Sequence, residues 1–157
     1  MSIIQSISVT EDVTLVSLQD SPADIGLISD IFTEISKNNI DVDMISQTPP
    51  HSHTPNLSFT VSDEDVGKML EITAKLRDIY PDMKLTLRSG NCKISVFGEE
   101  MRGTPGVAVK VFYALSRANV EVSMITTSEV DISLLVDKHF VEPAIKALNV
   151  NLTNKHI

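Results

Sequence analysis

The sequence predicts an α+β protein made of two copies of one βαββαβ unit, each an antiparallel sheet with helices on one face. An internal repeat predicts it first, because self-similarity at a fixed spacing marks a duplicated structural unit. The stretch GLISDIFTEISKNNIDVDMISQ from Gly26 aligns without a gap to GVAVKVFYALSRANVEVSMITT from Gly106, a constant offset of 80 residues. It pairs Phe32 with Phe112, Ser36 with Ser116, Asn39 with Asn119, and Val42, Met44 and Ile45 with Val122, Met124 and Ile125. The same helical and strand periodicities recur in both copies. Length agrees, since 157 residues accommodate two small domains.

The elements follow in order. In the first copy Ile28, Ile31, Phe32 and Ile35 fall at i, i+3, i+4 and i+7, one apolar face of a helix; Ala108, Val111, Phe112 and Leu115 repeat that spacing in the second. Leu57, Phe59 and Val61 alternate with Ser58, Thr60 and Ser62, as in a strand with one buried face. This strand, LSFTV, pairs with ISLLV from Ile132 at an offset of 75, because the first copy carries extra loop residues around PPHSHTP. ISLLV and KISVF read as more buried strands. The second helices are marked by Val66, Met69, Leu70, Thr73 and Leu76, and by Val141, Ala144, Ile145 and Leu148. Pro81 stops the first of these and KLTLR follows as a strand. The result is the ferredoxin-like split arrangement, with RSGN, residues 88–91, as the joint. Ile3 to Val9 form a further apolar alternation with no counterpart in the first copy, so they must pair elsewhere.

Charge and composition exclude several functions. With 13 Lys plus Arg against 21 Asp plus Glu, the formal charge of -8 repels phosphate backbones and anionic lipid, so neither nucleic acid nor membrane is an expected partner. No stretch approaches the roughly 18 apolar residues of a membrane span, and MSIIQSISVTEDV lacks the basic and apolar regions of an export signal. Cys92 is the lone cysteine, so no intrachain disulfide forms, and a cytoplasmic location is expected.

Residues 101 to 137, MRGTPGVAVKVFYALSRANVEVSMITTSEVDISLLVD, strongly resemble the second ACT domain of aspartate kinases. VTLVSL followed by GLISDIFTEISKNNIDVDMISQT resembles the first. The family often has an Asp-x-Pro-Gly turn before its first helix; here Ala23, Asp24, Ile25 and Gly26 occupy it, keeping only the glycine. The resemblance implies a first ACT domain at 10–88 inserted into a second made of 1–9 plus 92–157, with the segment from Ile3 to Val9 completing the second sheet. It also implies an allosteric module that binds lysine or threonine and lowers the activity of aspartate kinase, an ATP-dependent aspartate phosphotransferase, through its kinase domain or subunit. The kinase's own nucleotide loop and Lys-Phe-Gly-Gly segment do not occur, so the chain is expected to have no catalytic activity of its own. A fragment of a longer kinase and a separately made regulatory subunit both fit.

An amino-acid effector needs amide donors for its carboxylate and acceptors for its ammonium. At the strand-to-helix turn the amides of Gly26, Leu27 and Ile28 lack partners within the helix and sit at its positive end. Gly26 allows close approach to the backbone. Asp24 can accept from an ammonium or cap the helix, and both readings stay open. Asp41 and Asp43 share one strand face on either side of Val42; they can accept charge-assisted bonds or mark a solvated face. The resemblance implies effector contacts at these positions, with three carboxylates favouring lysine over threonine, and a homodimer with the site at its boundary. In the second copy GTPGVA keeps a Pro-Gly turn, which suits a second site or a dimer contact.

Other constellations are weaker. His51 and His53 lie in a Pro- and Ser-rich loop with no third ligand at a metal-binding spacing. GEEMRGTPG carries Glu99 and Glu100 where a phosphate cradle would be cationic, and no Gly-Lys-Ser or Gly-Lys-Thr closes it. Ser128 and Glu129 have no nearby His or Lys to make a hydrolase pair, and Cys92 has no evident activating base. No cofactor or metal is expected. Met44, Met69, Met83, Met101 and Met124 read as core or interface residues.

Overall fold

Strand β1 (Ser6–Gln19) leads into α1 (Ile25–Lys37), β2 (Ile45–Gln47), β3 (Pro55–Ser62), α2 (Val66–Ile79) and β4 (Lys84–Phe97). Then come α3 (Val107–Arg117), β5 (Met124–Thr127), β6 (Asp131–Asp137) and α4 (Val141–Thr153). This is the order in the computed structural model, which describes residues 3–19, 25–49 and 55–153. Asp12–Gly90 form one compact unit; residues up to Glu11 and from Asn91 onward form the other. The division therefore falls within β1 and within β4.

The first unit is βαββαβ with sheet order β2-β3-β1-β4. β1 and β3 run antiparallel with Val16 opposite Phe59, and β2 meets β3 with Ser46 opposite Ser58. The alternation seen in LSFTV places Leu57, Phe59 and Val61 in a core with Val16, Leu18, Ile31, Ile35, Met69, Ile72 and Leu76. Phe32 packs on this core, its ring 5.2 Å from that of Phe59. Two assignments from periodicity change. On α2, Ile72 is buried and Leu70 is exposed, because the face toward the sheet runs through Met69, Ile72, Thr73 and Leu76 at i, i+3, i+4 and i+7. Thr60, expected on the solvent side, is buried, and its hydroxyl accepts from the Met44 amide at 2.9 Å.

The second unit has sheet order β1-β4-β6-β5, with Ile94 opposite Leu134 and Thr126 opposite Ser133. Its core joins Ile94, Val96, Val111, Ala114, Leu134, Ala144 and Leu148, and Ile4 is buried in it beside partly buried Ile3 and Ile7. The Gln5 amide donates to the Phe97 carbonyl at 2.8 Å. Phe112, placed by spacing on the inner face of α3, is 39% exposed. The inner face turns instead through Val107, Val111, Ala114 and Leu115, leaving Phe112 at its flank.

The RSGN joint is extended: β4 continues through it, with Gly90 in the left-handed region at φ 77. Asp63 holds this point, accepting from the Gly90 amide at 3.3 Å and from the Thr14 hydroxyl at 2.5 Å.

The aligned Asn39 and Asn119 both adopt left-handed backbone, φ 55 and 53, just past α1 and α3. Each marks the point where the helix ends and the chain reverses: Ile40 donates back to Ile35 at 3.2 Å, and Val120 to Leu115 at 3.0 Å. A Cβ-bearing residue other than Asn or Asp is penalised there by about 1 kcal/mol. Asn119→Ala is expected to lower unfolding stability by about that amount and Asn119→Gly by much less, as read by urea denaturation.

At the turn into α4, Asp137 accepts from the His139 amide at 3.1 Å, with the His139 ring Nδ1 at 2.5 Å from the same oxygen. The backbone N–H of His139 chiefly, then its ring and charge and that of Lys138, hold the Asp137 carboxyl below its usual range. A depressed carboxylate pKa stabilises the fold above the unfolded-state pKa, and this contribution is lost as pH falls through the folded value. A carbon-detected NMR titration should find Asp137 titrating below an unfolded-peptide reference; a midpoint at or above that reference would contradict the capping geometry.

Candidate effector site

The first half of the expected site lies on the opening turn of α1. Gly26 is exposed, Leu27 is buried with its side chain in the core, and Ile28 is half-buried against that core. The Leu27 side chain is therefore committed to the core, and Ile28 leaves part of its side chain exposed. Asp24 lies outside the described residues, as do His51 and His53.

The second half follows the far end of the same helix. After the reversal at Asn39 the chain runs extended through exposed Asp41, half-buried Val42 and exposed Asp43. Regular β2 starts only at Ile45. The ladder nonetheless reaches further back, since the Asp43 amide donates to the Thr60 carbonyl at 3.2 Å and the Thr60 amide to the Met44 carbonyl at 3.0 Å. Asp43 thus stands on a backbone anchored to the sheet, and Asp41 and Asp43 are both exposed.

These halves are not adjacent. Helix α1 is 13 residues long, about 20 Å at 1.5 Å per residue, and separates the Gly26 end from the Asp41 end. The aligned second unit shows what each end meets. A cavity of about 310 Å³ gathers Gly106, Val107 and Ala108 with Thr127, Ser128 and Glu129, so the helix start faces the far end of the following strand. A separate concavity of about 550 Å³ gathers Phe112, Leu115 and Ser116 with Glu121, Val122 and Ile125, so the helix end faces the strand's beginning. By the offset of 80, Gly26, Gln47 and Thr48 correspond to the Gly106, Thr127 and Ser128 of the first cavity, and Phe32, Ser36, Asp41 and Val42 to the Phe112, Ser116, Glu121 and Val122 of the second.

Sequence patterning alone does not single out Gln47 and Thr48 as candidates. The signal for them was the alignment itself, which carries Gln47 onto Thr127, together with the requirement that the strand after α1 run back along it. In the second unit Arg102 pairs with Glu129 at 2.8 Å, both well exposed, a surface pair of small energetic weight. Among the described residues no group of three or more His, Cys, Asp or Glu is placed to hold a metal ion. No helix among them is long and apolar enough to cross a membrane.

What the arrangement can do is hold a zwitterion in two pieces. Amides at a helix start take a carboxylate. Paired exposed carboxylates take ammonium groups. Both pieces belong to one chain, and the two are a helix length apart.

Two stretches of the chain, residues 94–152 and 13–79, each match the ACT domain family. The aspartate kinase of Pseudomonas putida is 33% identical over 153 residues, covering 94% of this chain and 36% of that protein. The chain spans about a third of the length of the curated relatives it matches. A crystal structure of aspartokinase alpha and beta subunits superposes with a TM-score of 0.86 at 29% identity, covering 96% of this chain and 99% of that one. The ligand-free regulatory subunit of aspartate kinase from Thermus thermophilus gives a TM-score of 0.81 at 26% identity, covering 95% and 97%.

Proposed function

We propose, from the premise that this chain belongs to the ACT domain family as the tandem regulatory pair of aspartokinases, that it binds an amino-acid end product and lowers the activity of an aspartate kinase. The domain reading is that of 10–88 inserted into 1–9 plus 92–157. The effector site is built from Asp24, Gly26, Leu27, Ile28, Asp41, Val42 and Asp43, with lysine favoured over threonine because the carboxylates suit a second ammonium group.

The observation that carries this reading is the separation of the two half-sites along α1. A homodimer with two-fold symmetry uses the same patch on both copies. Two copies facing each other antiparallel bring the Gly26 end of one helix to the Asp41–Asp43 segment of the other. The site is then complete only at the boundary, and effector binding tightens the dimer by mass action. Coupling of this kind is typically about 1–3 kcal/mol between sites, enough to shift the parent kinase between active and inactive arrangements.

The test is calorimetric titration and sedimentation with lysine and threonine, on the parent chain, on Gly26→Leu and on Asp43→Ala. Each variant alone should lose binding. A mixture of the two should recover about half of the sites per heterodimer, because one of the two symmetry-related sites at its boundary keeps both native halves. Failure of the mixture to recover binding would place both halves in one chain and sink the composite site. No binding of either amino acid at millimolar concentration by the parent leaves the effector-free reading, a purely dimerising module, which the missing Asp and Pro at the Ala23–Gly26 turn favours.

A further inference from the structure

We draw no further inference here: the strongest candidate, the groove of about 630 Å³ between α1 and α2 floored by Ile72 and Leu76, is an unpartnered face, and nothing in the structure shows what covers it.

Discussion

Ala114→Glu is expected to destabilise the second unit by about 4 kcal/mol or more, while Glu34→Ala changes the first by less than about 1 kcal/mol. The two positions correspond in the repeat, 80 residues apart. In the second unit Ala114 and Ala144 are both fully buried in one cluster with Leu148, and α3 and α4 pack closely there. A glutamate at 114 has no room, and overpacking alone costs about 1–3 kcal/mol. Its carboxylate would also lose water without gaining a partner, which adds several kcal/mol unless it stays protonated. In the first unit Met69 takes the place of Ala144 by the offset of 75, and Glu34 lies on the rim of the open groove between α1 and α2. Its side chain is 34% exposed and pairs with Lys37 at 3.1 Å, an interaction of at most about 1 kcal/mol. Urea denaturation with residue-resolved hydrogen exchange separates the two units. An Ala114→Glu variant as stable as the parent would mean that α3 and α4 do not meet closely at this position.

The repeat made most of the fold legible because it tests each assignment twice. Asn39 and Asn119 align and both end a helix in left-handed backbone; Phe32 and Phe112 align yet differ in burial, one packed on Phe59 and the other 39% exposed. Spacing fixes which residues share a helix, but the centre of the buried stripe depends on the neighbouring helix. Leu70 and Phe112 therefore fit the helical spacing but lie off the buried stripes, which run through Ile72 and Ala114. Thr60 followed the alternation of its strand, but the alternation does not tell whether the second face of a sheet is also covered. The site was half legible for a related reason. Residue chemistry names the glycine turn and the carboxylates as candidate donor and acceptor groups. Residue type does not say how far apart these groups stand within one chain, and a helix of 13 residues lies between them.

Gly98→Ala is expected to cost about 3 kcal/mol and to loosen the N-terminal segment from the second unit specifically. Gly98 follows β4 with extended backbone, φ -169, a conformation that alanine adopts readily, so the penalty is not conformational. It is steric. A Cβ at this position would overlap the carbonyl oxygen of Ile3 and lie 3.0 Å from its carbonyl carbon and 3.3 Å from the Ile4 Cα. These are backbone atoms, which cannot swing aside as the end of a long side chain can. Gly98 is itself tethered, its amide donating to the Val130 carbonyl at 2.9 Å and its carbonyl accepting from Met101 at 3.0 Å. The segment at Ile3 must therefore give way. Moving it breaks the bond from the Gln5 amide to Phe97, at 2.8 Å, and the bond from the Glu99 amide to the Gln5 side chain, at 3.1 Å. It also withdraws Ile4, 8% exposed, from the core. Overpacking costs about 1–3 kcal/mol, and partial loss of a buried isoleucine adds to it at about 25 cal/mol per Å². Hydrogen exchange should accelerate at Gln5 and around Phe97 to Met101, while amides of the first core, such as those of Val16 and Phe59, keep the parent's rates. A variant with unchanged stability and unchanged exchange at Gln5 would show that the N-terminal segment does not pack on Gly98.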